Sequence, residues 1–338
     1  MSIMYPLVTL KRKPEPLMKM HSVFASTAAC VMLASCSYVA ERAAPQKRAA
    51  TTRTAAALKA DEMFWSTLHG GAYEQIPQAL EPQTAAYLAN PTDAVSAAHV
   101  GWLHIWRVSE RARLSAIPAT LTDDALLSRR YFQEAVALDP TDARYLGFLA
   151  AATLAEGNIN QDERLTRRGY FMMLDAIKAW PEFNLFTAGY VMSAQPAGSE
   201  RFKQALQWQW QNLDVCVGET VDRRTAEYAK YMTLETQEGK KRVCWNSQIA
   251  PHNFEGFFLN MGDMLVKAGD WQTARKIYGD AKLSPTYSQW QYREVLEERI
   301  RAAPDNVAAF SAPVDPTYHG DKQIMVATAF ACMACHRQ

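Results

Sequence analysis

Residues 256–285 read GFFLNMGDMLVKAGDWQTARKIYGDAKLSP. Small residues fall at Gly262, Gly269, Ala274 and Ala281, with Tyr278 among them. Small side chains at such positions let two paired helices approach closely, and Pro285 ends the stretch because proline lacks the N–H that continues a helix. From residue 61 onward the pattern is helical, with few Val/Ile/Thr-rich alternating runs of the kind strands need. Alanine followed five positions later by proline recurs as Ala86…Pro91, Ala135…Pro140 and Ala176…Pro181. In the first two, Asp93 and Asp142 follow as caps for the next helix. These prolines stand 49 and 41 residues apart. That is more than one helix pair needs, so longer loops are expected.

The spacing of Gly262, Gly269, Ala274, Tyr278 and Ala281 resembles the tetratricopeptide repeat. Phe258 stands where that family usually has Trp, and Pro285 comes one residue early. The resemblance is good over 255–288, fair over 125–181 and weak over 61–110. It implies an all-α solenoid of roughly four helical hairpins with irregular loops, and binding of a protein partner on the concave face. The aromatic stretches HVGWLHIW (99–106) and FKQALQWQW (202–210) either line such a groove or pack between repeats.

Composition narrows the function classes. The chain has 338 residues, 49% of them hydrophobic, and a net charge of +1. No dense basic block follows residue 60, so nucleic acid is not an expected partner. Residues 22–35, SVFASTAACVMLAS, form an apolar run preceded by Lys19 and His21, too short for a stable membrane anchor. The run ends in Leu33-Ala34-Ser35-Cys36, which resembles the lipobox of bacterial lipoproteins. That resemblance implies cleavage before Cys36, lipidation of its thiol and, with Ser37 next, the outer membrane of a bacterial envelope. Met18 or Met20 makes a better signal-peptide start than Met1. The organisation expected is therefore signal peptide 1–35, lipidated tether 36–60, helical repeats 61–301 and a C-terminal tail 302–338.

That tail ends in AFACMACHRQ (329–338). Cys332-Met-Ala-Cys335-His336 is the C-x-x-C-H pattern of covalent c-type haem attachment. Two thiols one helical turn apart bond the two vinyl groups, and the next imidazole becomes the axial iron ligand. Residues 322–338 contain neither Pro nor Gly, so one helix presenting all three side chains is expected. Placement near the C-terminus also resembles the class II cytochromes c. For the second axial position the sequence offers His319, His252 or a vacancy, while Met325 on the same helical rod cannot reach the distal face. A thiol-redox C-x-x-C is disfavoured because no βαβ unit surrounds it, and zinc lacks further ligands.

Cys216 and Cys244 are expected to form a disulfide closing a charge-rich insertion, as an exported chain permits. Asn246, His252, Asn253 and Glu255 form a polar run that matches no catalytic pattern, and no hydrolase or nucleotide-binding motif is present. The leading expectation is a lipid-anchored, periplasm-facing repeat protein with one haem c, acting as electron carrier or haem-linked binding protein with a redox partner rather than as an enzyme. The alternatives are a haem-free scaffold whose tail thiols form a disulfide, and peroxidase-type chemistry at a vacant iron site.

Overall fold

A computed structural model describes residues 39–40, 42–245, 254–314 and 322–337. The chain divides into residues 1–47 and a compact unit of residues 48–338. In the first, residues 39–40 and 42–43 are helical and exposed. The second is built from α-helices and short 3-10 turns, with no strand among the described residues.

Its helices are α1 (Ala55–His69), α2 (Ile76–Ala89), α3 (Ala94–Ser109), α4 (Leu121–Leu138), α5 (Ala143–Ile159), α6 (Glu163–Ala179), α7 (Pro181–Met192) and α8 (Glu200–Val217). After an irregular segment come α9 (Phe254–Lys267), α10 (Trp271–Asp280), α11 (Arg293–Ala302), α12 (Asn306–Ser311) and the terminal α13 (Met333–His336). Neighbours pair as α1–α2, α3–α4, α5–α6, α7–α8 and α9–α10. The fold is an all-α helical-hairpin repeat, with five such pairs among the described residues against the roughly four expected from the sequence. The first helix starts at Ala55, ahead of the apolar pattern at residue 61.

The punctuation read from the sequence marks these hairpins. Asp93 accepts from the amides of Val95 and Ser96 at the start of α3, and Asp142 from that of Arg144 at the start of α5. Pro181 opens α7, where a missing N–H costs nothing. The long spacing between prolines has two origins. Between Pro91 and Pro140 a link over 110–120, with a 3-10 turn at Arg111–Arg113, joins the helices. Between Pro140 and Pro181 the link is short, and the length lies in two 17-residue helices.

In the α9–α10 hairpin, Gly262 lies under the Tyr278 ring, where an added Cβ would come within 2.1 Å of Cε1. Gly269, at φ +88°, makes the turn between the helices. Ala274, Tyr278 and Ala281 are fully buried.

The disulfide expected between Cys216 and Cys244 is present, with Cα atoms 5.7 Å apart. The segment it closes is less polar in effect than its composition. Val221, Ala226, Tyr228 and Tyr231, with Trp245 just beyond it, are buried in the core beside α9 and α10. The backbone N–H of Tyr228 donates to Asp280 at the end of α10.

Candidate functional site

The C-terminal tail does not form the single helix expected of residues 322–338. Among the described residues it makes a 3-10 turn at Met325–Ala327 and turns again before α13. Cys332 is the N-cap residue of α13, and the helix holds only Met333, Ala334, Cys335 and His336. Competition from tertiary hydrogen bonds explains the difference, because two buried carboxylates take tail amides that a helix would have used internally.

The first is Asp263 on α9, which accepts from the Met325 N–H at 2.7 Å, the Arg299 guanidinium at 2.9 Å and the Tyr278 hydroxyl at 2.6 Å. Arg299, on α11, also donates to the Gln323 carbonyl at 3.0 Å. Burial pushes the Asp263 carboxyl up to about 6, against the pull of Arg299. The second is Glu110, which closes α3 and is 0% exposed. One of its oxygens accepts from the N–H groups of Cys332 and Met333, each at 2.9 Å. The other accepts from Trp106 Nε1 at 3.0 Å and Arg113 Nε at 2.6 Å. A carboxylate at a helix N-terminus meets free amides and the positive end of the dipole together. Tyr190 Oη donates to the Ala331 carbonyl at 2.7 Å, and Trp290 Nε1 to that of Ala334 at 3.0 Å.

The motif is thereby drawn into the core. Cys332 and Met333 pack with Phe64, Leu68, Trp102 and Trp106, while Cys335 and Ala334 join the cluster of α9 and α10. Both sulfurs are free thiols and buried. Burial, and then the nearby charge of Glu110, push the Cys332 thiol well above its ordinary value; burial, and then Glu255, raise Cys335. A buried thiol with a raised pKa is a poor nucleophile. His336 is 4% exposed, and the Trp102 indole stands edge-on to its imidazole with centroids 4.6 Å apart.

Trp102 is also a wall of a cleft of about 330 Å³ between α1, α3 and α5. Its walls are mostly aromatic, with Phe64, Trp65, Phe132, Tyr145 and Phe148, and its polar groups include Asp61, His99 and Arg144. Phe64 stacks on the His99 ring at 4.0 Å, 8° from parallel. His99 Nδ1 is 2.8 Å from Asp61 Oδ1. Asp61 also pairs with Arg53 and accepts from Gln83 Nε2 at 3.1 Å. Although burial opposes it, the hydrogen bonds from His99 and Arg53 hold the Asp61 carboxyl far below the usual range.

The other aromatic stretch, 202–210, packs between repeats: Phe202 and Trp208 are buried against α5–α7 residues. His104 is held at 2.8 Å by Asp124, and His69 ends α1 beside Trp65. Glu255 is 1% exposed and accepts from Thr286 Oγ1 at 2.9 Å. Cys36, His252, His319, Asn246 and Asn253 lie outside the described residues. Among those described, no group of three or more His, Cys, Asp and Glu side chains is placed to hold a bare metal ion, and no helix is long and apolar enough to cross a membrane.

No family model, curated protein or solved structure matches this chain. Glu110, Asp263, Arg299 and the His99–Asp61 pair escaped the sequence reading. A lone acid ending the apolar run GWLHIWRVSE was the sole trace of Glu110, whose partners in the tail lie 222 and 223 residues away.

Proposed function

We propose that the chain is an envelope-anchored repeat protein carrying one covalent haem c on Cys332 and Cys335, with His336 as axial ligand, and that it transfers electrons with a protein partner or uses the haem in a protein interaction. The observation that supports this reading most is the C-x-x-C-H set itself, held on one short helix against an aromatic interior. In attachment each S–H adds across a vinyl C=C, so no oxidant is consumed. When bound, the group supplies one-electron Fe(III)/Fe(II) chemistry.

The donors fit the group in type and order. His336 and the nearby cleft share the Trp102 indole as a wall, and the cleft's about 330 Å³ is near the lower end for ligand sites. The sealing of both thiols sets an order of events: attachment precedes docking of the tail. Glu110, Tyr190 and Trp290 then hold the tail backbone, and Asp263 with Arg299 fixes its entry. A partner docking on the array uses surface other than that covered by the tail.

A haem stain after denaturing electrophoresis tests the proposal, using protein exported from cells that have haem-attachment machinery. Colour that survives boiling and is lost in the Cys332→Ala/Cys335→Ala variant is the expected result; a colourless wild-type band overturns it. The sealed thiols favour a second reading, a haem-free scaffold closed by its own C-terminus, and the colourless band is its expected result. The lipid anchor at Cys36 is tested separately by incorporation of labelled fatty acid, lost in Cys36→Ala.

A further inference from the structure

We propose that His99 is the second axial ligand of the haem, with the aromatic cleft as its pocket and Trp102 as the side chain that yields to admit the ring. This rests on the haem reading above.

The cleft and the motif share one wall. Trp102 contacts His336 on one side and lines the cleft on the other, and His99 lies one helical turn before Trp102 on the same face of α3. His99 also carries the usual supports of a metal-binding imidazole. Ligating histidines commonly give one ring nitrogen to a carboxylate, which fixes the tautomer and raises the basicity of the other nitrogen. Here Asp61 takes Nδ1, and Arg53 and Gln83 hold Asp61 in turn, so Nε2 is the nitrogen left for a ligand. The Phe64 face, parallel to the imidazole, restricts its rotation.

The other described histidines lack this combination. His104 has the same kind of carboxylate partner but stacks on Tyr131 and does not line the cleft. His69 has no carboxylate hydrogen bond, and burial lowers its pKa. The cleft is also suited to a flat apolar ring. Phe64, Trp65, Phe132 and Phe148 offer ring faces and edges, and the polar groups are few.

The test is the absorption and magnetic resonance spectrum of the full-length haem-loaded protein, with His99→Ala, His104→Ala and His99→Gly variants. Wild type and His104→Ala are expected to be six-coordinate and low-spin, and to bind no CO when reduced. His99→Ala is expected to keep the covalent haem stain, lose the low-spin signal and bind CO stoichiometrically. Added imidazole is expected to restore the low-spin spectrum in His99→Gly. A high-spin wild type, or a stained His99→Ala protein with the wild-type spectrum, overturns the assignment to His99 while leaving covalent haem in place. A colourless wild type overturns both.

Discussion

Glu110 joins distant parts of the chain through a single carboxylate. It is fully buried, accepts from the Cys332 and Met333 amides at the start of α13 and salt-bridges Arg113. Removing one partner from a buried ionic set leaves the remaining groups unsatisfied. Glu110→Ala is therefore expected to destabilise the protein by about 3 kcal/mol in denaturant titrations. It should also speed hydrogen exchange at the Cys332 and Met333 amides more than at helix α6. Asp280 behaves differently. Burial pushes its carboxyl up to about 8, from an unfolded value near 3.8. The folded state thus binds more protons than the unfolded one between those values, and this group's contribution to stability falls as pH rises through the window. Each pH unit costs up to about 1.4 kcal/mol. Asp280→Asn is expected to flatten stability between pH 5 and 8 and raise it most at pH 8. Equal pH slopes for the two proteins in thermal melts would refute this.

At the scale of elements, close packing and covalent closure carry the hairpins. A methyl group at Gly262 would sit 2.1 Å from the Tyr278 ring, and that ring is fixed by its hydrogen bond to Asp263. Gly262→Ala is expected to lower stability by about 1–3 kcal/mol, in line with overpacked cores, and to loosen the Met325 anchor that shares Asp263. The disulfide closes a long segment whose apolar residues pack beside α9 and α10. Replacing both Cys216 and Cys244 by Ala is expected to cost about 3–4 kcal/mol from loop entropy alone. The measurement is the shift in unfolding midpoint between oxidised wild type and variant.

Across the whole molecule the tail works as a staple. Ile324 belongs to the core of α5–α8, Met325 and Cys335 to that of α9–α10, and Met333 to that of α1–α5. Repeat arrays otherwise gain stability mainly between neighbours, and their unfolding loses cooperativity when end-to-end ties are absent. Deletion of residues 322–338 is expected to split one unfolding transition into two, visible as non-coincident fluorescence and circular dichroism curves. Coincident curves in the truncated chain would show that the hairpins alone are cooperative.

Much of this was legible along the chain. Helical periodicity, the prolines that end helices and the aspartates that begin them are local signals, and the hairpins follow them. Gly262 and Ala274 announced the α9–α10 hairpin because only small side chains fit where its helices cross closely, and Gly269 announced its turn. The disulfide pairing followed from the even cysteine count together with the export expected from the N-terminal apolar run. The C-x-x-C-H set was visible because its chemistry depends on sequence neighbours. The tail's conformation was not legible, since helix propensity favoured one long helix and two buried carboxylates from distant helices outbid it. The His99–Asp61 pair was hidden for the same reason: α1 and α3 come together only when the array packs. Sequence alone thus determined the helices, their punctuation and the presence of the C-x-x-C-H set. Only the tertiary structure decided where the tail runs, which acids hold it and which aromatic cleft it faces, because those depend on contacts between residues far apart in the chain.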